Sequence, residues 1–333
     1  MNNDASPIIE RLKIEDLPQL IDCVRRCYGE SYPNTVMYNI KQLESIIKSN
    51  LMHSVVAKLD TGKIIGHCSL TFDGTHNISP EAGKMMVDPD FRGHHIAEMM
   101  AQKRLEIAGS LALPGFWTEC VTNHPYSQFE MIAFNAKETG LFLGNMPASI
   151  SMKGLENHPE TRMTLMAFYL PLNDRPHTVY IPNQHAEHAR ALADDLGLQR
   201  IIANPTSTAI GKTTFHTVIN SSIQTSNIAI DQIGGDLIPA IKLELKKLEL
   251  LNLASIYLDI PIEQEAAAWA YLELESIGFF WGSWMPNFST KGDSLRLQKI
   301  YQGINADTIV CARTQGNAIK NYVISEWERV SKI

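Results

Sequence analysis

Apolar and polar positions alternate along the chain in two rhythms, and the switches between them mark its elements. Residues 8–14 read as a strand, and Leu20, Ile21, Val24 and Tyr28 then recur at helical spacing behind Asp16, a residue type that caps helix starts. Residues 54–59 and 63–72 read as the arms of a hairpin around Asp60-Thr61-Gly62. A strand over 83–87 is halted by Asp88-Pro89, and a helix over 96–108, a strand over 116–122 and a helix over 126–138 follow. The pattern predicts a mixed α/β fold.

The chain also resembles itself. Gly140-Leu141-Phe142-Leu143-Gly144 finds a counterpart 138 positions later in Gly278-Phe279-Phe280-Trp281-Gly282, and Met-Pro follows each, at Met146-Pro147 and Met285-Pro286. A predicted strand over 255–260 and helix over 263–276 repeat the order of 116–122 and 126–138, and Ile230-Asp231 echoes Val87-Asp88. Two copies of one fold are expected, joined near Pro171, Asn173, Asp174 and Pro176, which gives domains of 1–172 and 173–333. Residues 179–182 and a helix over 184–196 would open the second copy, and a half-buried helix over 241–253 would lie within it. The aromatic cluster Phe279, Phe280, Trp281 and Trp284 reads as core.

Length and charge narrow the class. With 333 residues, 44% of them hydrophobic, the chain can bury two sizeable cores. Its 29 Lys+Arg against 36 Asp+Glu give a net charge of −7, which argues against nucleic acid as a partner because such binders carry a basic surplus. No apolar run is long enough for a membrane span, and residues 1–10 carry no basic flank leading into one, so a cytoplasmic protein without a membrane partner is expected. Five cysteines without a CxxC pair read as reduced thiols, with Cys23 and Cys27 on one helix face as core. No metal is expected: His185 and His188 lack further ligands and read as solvated, and so does the pair His94-His95. The run from Thr206 to Lys212-Thr213 ends like a phosphate-binding loop but has Thr206 where the leading Gly belongs.

The most informative stretch is Met85-Met86-Val87-Asp88-Pro89-Asp90-Phe91-Arg92-Gly93-His94-His95-Ile96-Ala97: a strand, a Pro turn, a basic loop and a helix start. The first N–H groups of a helix lack partners and sit at its positive end, which suits an anionic ligand. Here the chain resembles the Gcn5-related N-acetyltransferase (GNAT) superfamily, whose pyrophosphate loop runs Arg/Gln-x-x-Gly-x-Gly/Ala. Arg92, Ile96 and Ala97 match, while His95 replaces the central Gly. The resemblance covers roughly residues 8–172 and, through the repeat, implies two tandem acyl-coenzyme A N-acyltransferase-like domains with mixed sheets.

On that resemblance, the protein is an acyl-coenzyme A-dependent N-acyltransferase acting on an amine of a small molecule or peptide, with acetyl-coenzyme A or another acyl-coenzyme A as cosubstrate. Arg92 and the amides of Gly93, His94, His95, Ile96 and Ala97 would hold the pyrophosphate, and the strand with Met85, Met86 and Val87 would pair with the pantetheine arm. Glu81 stands where some members carry the general base, and a regular strand would put it on one face with Gly83, Met85 and Val87. The usual Tyr acid is missing at Ala136, which leaves His124 and Tyr126 as candidates, with Glu119 as a further carboxylate. After Ile230-Asp231 the second copy has no Arg or Lys and places Asp236 at the helix start, so it is expected to bind no coenzyme A. A homodimer is possible on this reading, and a non-catalytic sensor or structural module is the rival class.

Overall fold

The computed structural model describes residues 6–72, 78–148, 161–205 and 207–332. Two compact units divide the chain: among the described residues, the first ends at Thr118 and the second begins at Glu119.

The first unit contains β1 (Ile8–Arg11), α1 (Leu17–Tyr28), α2 (Ile40–Lys48), β2 (Met52–Lys58), β3 (Ile64–Thr71), β4 (Glu81–Val87), α3 (Ile96–Ser110) and the start of β5 (Gly115–Val121). Its strands lie in sequence order, antiparallel except for the parallel pair β4 and β5. The helical rhythm of α1 points Leu17, Leu20, Ile21, Cys23, Val24 and Cys27 into a core shared with Met37, Leu43, Val56, Ile64 and Met86. Asp16 makes no cap hydrogen bond, contrary to expectation; both its oxygens take the Lys58 ammonium at 2.8 Å instead. The ammonium meets the carboxylate with a full opposite charge, which a backbone N–H does not carry.

The second unit continues from β5 with α4 (Tyr126–Ala133), β6 (Lys137–Met146), β7 (Met163–Pro171), β8 (His177–Tyr180), α5 (Ala186–Leu196), β9 (Arg200–Ala203), β10 (Thr214–Asn220) and β11 (Thr225–Gln232). It ends with α6 (Leu237–Glu249), β12 (Ser255–Pro261), α7 (Ala267–Glu275), β13 (Phe280–Ser289), β14 (Gly292–Ile300) and α8 (Thr314–Val330). Its main strand order is β7-β6-β13-β14-β12-β11-β10, and β8 and β9 form a separate parallel pair. The sequence β11-α6-β12-α7-β13-β14 repeats β4-α3-β5-α4-β6-β7, with β11 and β12 parallel as β4 and β5 are. Mixed α/β architecture is what the two rhythms of the chain imply. Phe279, Phe280, Trp281 and Trp284 are all within 2% of full burial. No helix among the described residues is long and apolar enough to cross a membrane.

The tertiary structure shifts two expectations about the repeat. The helix expected over 126–138 stops at Ala133, where Asn135 (φ 65°) turns the chain and β6 begins two residues later. Gly140 therefore lies inside a strand, whereas Gly278 (φ 93°) lies in the turn before one. The bulges of β6 fall at Glu138/Gly140 and Phe142/Met146, and those of β13 at Trp281/Ser283 and Met285/Ser289, so the structural offset is 143 residues rather than 138. A five-residue pattern of glycines and aromatics tolerated the slip; the bulge positions do not. The compact units divide within β5, and within the second of them β6 pairs with β13 through Gly140 and Ser283.

This pairing is close. A Cβ on Gly140 would stand 2.2 Å from the Gly282 carbonyl oxygen and 2.3 Å from the Ser283 Cα, both on backbone that cannot rotate away. Gly140→Ala is expected to destabilise the protein by about 3 kcal/mol or more. Gly109→Ala, in α3 with no heavy atom within 4 Å of the new methyl, is expected to stabilise it by about 0.5–1 kcal/mol. Urea unfolding of the two variants reads both, and equal midpoints would refute the close β6–β13 approach.

Candidate functional site

The end of β4 is held by a buried carboxylate. Asp88 is 1% exposed and accepts from the Arg26 Nε at 2.6 Å and from the Asp90 N–H at 3.2 Å, while the Lys63 ammonium stands 3.2 Å away. Burial alone would raise its pKa, but the Arg26, Asp90 and Lys63 contacts outweigh it and hold the carboxyl below its ordinary value. Asp88 thus ties α1, the β2–β3 turn and the chain leaving β4 to one point.

Beyond that point the chain makes a 3-10 turn over Pro89–Phe91 and enters α3 through Arg92, Gly93, His94 and His95. Gly93 (φ 82°) faces open space on the side where a Cβ would stand. His95 occupies the helix N-cap in the left-handed conformation (φ 58°, ψ 17°), the backbone state for which glycine serves best. Its imidazole is exposed, turned back onto Glu98 with Nδ1 3.1 Å from Oε2, and it caps no helix N–H. Among the described residues, no protein acceptor takes the N–H groups of Gly93, His94, His95, Ile96 or Ala97. Arg92 is exposed and lays its Nε 3.4 Å from the Val87 carbonyl oxygen, against the strand end. Open amides, a helix N-terminus and a guanidinium together form a fit for an anionic phosphate group.

The strand leading into this loop is irregular. Between Gly83 and Met86, β4 has one residue more than β3 has between Ser69 and His67, and Lys84 takes a left-handed backbone (φ 55°). The bulge corrects the expectation of a regular strand: Glu81 and Gly83 share a face with Met86, while Met85 and Val87 do not. Glu81 lies over Gly83, where a Cβ would meet its Oε1 at 2.6 Å, and its Oε2 is 3.5 Å from the Lys84 ammonium. Lys84 also donates to the Thr71 hydroxyl at 3.0 Å. The ladder between β4 and β5 is limited to Glu81 and Trp117; the Trp117 N–H donates to Pro80 and the Thr118 hydroxyl to Ala82. His67, fully buried on β3, faces the bulge with Nδ1 3.1 Å from the Lys84 carbonyl oxygen and Nε2 3.0 Å from the Ser54 hydroxyl. Burial pushes its pKa down to about 4, with the Lys84 carbonyl pulling the other way, so the ring is neutral at pH 7.

The corresponding loop of the second unit is filled by its own chain. Gly235 donates to the Gly211 carbonyl at 3.0 Å, Gly234 donates to the Thr213 hydroxyl at 3.1 Å, and the Thr213 N–H donates to the Asp236 carboxylate at 2.6 Å. A Cβ on Gly234 would stand 2.3 Å from the Lys212 and Thr213 backbone, where Gly93 faces open space. The segment ending in Lys212-Thr213, which reads in sequence like a phosphate loop, is the plug; Thr206 lies outside the described residues.

The remaining sequence candidates lie in the second unit. His124 has both ring nitrogens buried, with no side-chain hydrogen-bond partner among the described residues, and burial holds its pKa below the ordinary imidazole value against the pull of its own backbone. Tyr126, 66% exposed, lies beside it with ring centroids 5.0 Å apart. Glu119 is half-buried on β5. His185 and His188 are not solvated as expected. His185 is 1% exposed with Nδ1 2.5 Å from the Tyr322 hydroxyl, and the His188 ring stacks on Tyr322 at 3.5 Å. Burial pushes these imidazoles down to about 4 and about 3. Among the described residues two groups approach metal-ligand spacing, His185 with Glu275 and Glu326, and His177 with Glu263 and Asp293. Each carries an arginine on its carboxylates: Arg329 bridges Glu275 and Glu326, and Arg200 bonds Asp293 at 2.8 Å.

The sequence marks Asp88 as a strand stop and a point of the repeat, not as a buried ion-pair centre, and gives no sign of His67 or Lys84. Their partners lie far away in the chain, so no local spacing announces them.

Residues 17–129 match the family model described as "Acetyltransferase (GNAT) family". Three solved structures are similar in outline to parts of the chain. The spermidine/spermine N-acetyltransferase of Vibrio cholerae is 14% identical, covers 49% of this chain and 93% of its own, and has a TM-score of 0.38. An N-acetyltransferase of Staphylococcus aureus is 16% identical over 50% of this chain and 99% of its own, with a TM-score of 0.39. The ribosomal-protein-alanine N-acetyltransferase of Brucella melitensis is 18% identical over 50% and 99%, with a TM-score of 0.38. No curated protein matches the chain.

Asp88→Asn, which removes the charge that Arg26 and Lys63 face, is expected to cost about 1.5–3 kcal/mol of stability at pH 7. Because the folded-state pKa of Asp88 is depressed, its contribution is complete above the unfolded value near ~3.9 and is lost as pH falls through the folded value. The gap between wild type and Asp88→Asn in urea should therefore narrow toward pH 3; a gap that stays constant would refute the assignment.

Proposed function

Taking the acetyltransferase (GNAT) domain at residues 17–129 as its premise, we propose that the first unit transfers an acyl group from acetyl-coenzyme A, or another acyl-coenzyme A, to an amine of a small molecule or peptide. One observation carries this reading: among the described residues, the five successive amides from Gly93 to Ala97 lack protein acceptors at the N-terminus of α3. They receive the diphosphate, to which the Arg92 guanidinium adds about 1.5–3 kcal/mol. The stretch of β4 beyond its last β5 pair, with Met85, Met86 and Val87, offers main-chain donors and acceptors to the pantetheine arm.

The amine arrives as an ammonium, which cannot attack a thioester until it loses a proton. Glu81 takes that proton, directly or through one water. The amine nitrogen then bonds to the thioester carbonyl carbon while a β4 N–H donates to the carbonyl oxygen, and the carbon–sulfur bond breaks. The sulfur leaves as a thiolate and takes a proton, so the products are an amide and a free thiol. The second unit, on this reading, is a copy that binds no coenzyme A, supported by the plug at Gly211 and Thr213.

Arg92→Glu is expected to weaken coenzyme A binding at least tenfold, about 1.4 kcal/mol, by calorimetry; unchanged affinity would refute the placement of the loop. His95→Gly should keep that affinity within threefold, since the imidazole points away toward Glu98, and a large gain would mean that the ring obstructs the ligand. Glu81→Gln should slow thiol release from acetyl-coenzyme A over a panel of amines by ~10²-fold at pH 7, with a smaller deficit at high pH, where the amine deprotonates unaided. An unaltered pH–rate profile would remove Glu81 as the base. Binding without thiol release for any amine would favour the sensor reading.

A further inference from the structure

We infer that His67 is a positioning residue for acyl transfer: by donating from Nδ1 to the Lys84 carbonyl, it turns the Lys84–Met85 peptide so that the Met85 N–H serves the thioester carbonyl oxygen. The inference rests on the acyl-transfer reading above and assigns its oxyanion donor. A fully buried imidazole in the middle of β3 is an unusual choice for a packing residue, and here both ring nitrogens have partners. A carbonyl can only accept, so Nδ1 carries the proton, and Nε2 accepts from the Ser54 hydroxyl.

What the ring holds is strained. Lys84 takes a left-handed backbone without being Gly, Asn or Asp, and such a conformation persists only where its surroundings enforce it. The enforcement comes from both ends of the residue. His67 holds the carbonyl, while Thr71 and Glu81 hold the ammonium. A trans peptide is planar and sets the next N–H opposite the carbonyl. With the Lys84 carbonyl drawn toward β3, the Met85 N–H is directed away from β3, and the register gives Met85 no partner of its own there. The bulge also brings the Lys84 ammonium to the Glu81 carboxylate, so one clamp sets both the proposed base and the proposed oxyanion donor.

Two substitutions separate the donor from the bulk of the ring. Asn places an amide N–H near the position of Nδ1, whereas Gln extends toward that of Nε2. His67→Gln is expected to lower kcat for thiol release from acetyl-coenzyme A at least tenfold while coenzyme A affinity stays within threefold, and His67→Asn should recover kcat to within threefold of wild type. His67→Gln as fast as wild type, or both variants equally slow while folded and binding, would overturn the role of His67 and leave the acyl-transfer reading standing. Wild-type protein that binds no coenzyme A would overturn the reading itself, a failure visible without any variant. If neither variant folds, ¹⁵N NMR of the wild-type imidazole decides: a ring protonated on Nδ1 and bare on Nε2 from pH 6 to 8 supports the clamp, and the opposite tautomer rejects it.

Discussion

Asp88 is where a strand, a helix and a turn of the first unit are made to agree. Its carboxylate is out of water, and a buried charge is tolerable only when paired and hydrogen-bonded. Arg26 from α1, Lys63 from the β2–β3 turn and the Asp90 amide meet that requirement together. With the end of β4 fixed, the chain must leave it through Pro89 and return as α3. The amides at the start of that helix face outward because the preceding residues have no freedom to fold back over them.

The loops that follow β4 and β11, at equivalent places in the repeated order of elements, show what such amides do when left alone and when they are not. At Gly93 the space is open, and among the described residues no acceptor takes the backbone donors. At Gly234 the segment ending in Lys212-Thr213 packs against the glycine, and Gly211, Thr213 and Asp236 complete a closed set of hydrogen bonds. Buried donors are costly to leave unmade, and at this loop the chain supplies acceptors of its own. His95 fits the same reasoning. The position demands a left-handed residue, which glycine meets at no steric cost; histidine meets it with strain and turns its ring outward to Glu98.

Much of this was legible along the chain. The helical spacing of α1, the hairpin, the strand–loop–helix passage at 85–97 and the repetition of element order all follow from periodicity and turn chemistry, which act between near neighbours. Three of the misreadings share one cause. The slip of five residues in the repeat, the regular β4 and the solvated His185 were each decided by partners remote in sequence: Ser283 against Gly140, His67 against Lys84, Tyr322 against His185; the helix after Tyr126 ends instead at a local turn through the left-handed Asn135. A bulge in particular leaves no trace in hydrophobic alternation when its extra residue is a lysine whose stem packs as well as an apolar side chain would.

By itself the sequence determined the class of fold, the order of its elements and the loop whose amides form the candidate site, because backbone propensity and the hydrogen-bonding needs of a helix N-terminus are local properties. Only the tertiary structure decided which of the two loops stays open, which face Glu81 shares and which buried histidine governs the bulge. Those outcomes depend on what occupies the neighbouring space, and packing brings together residues that no spacing along the chain relates.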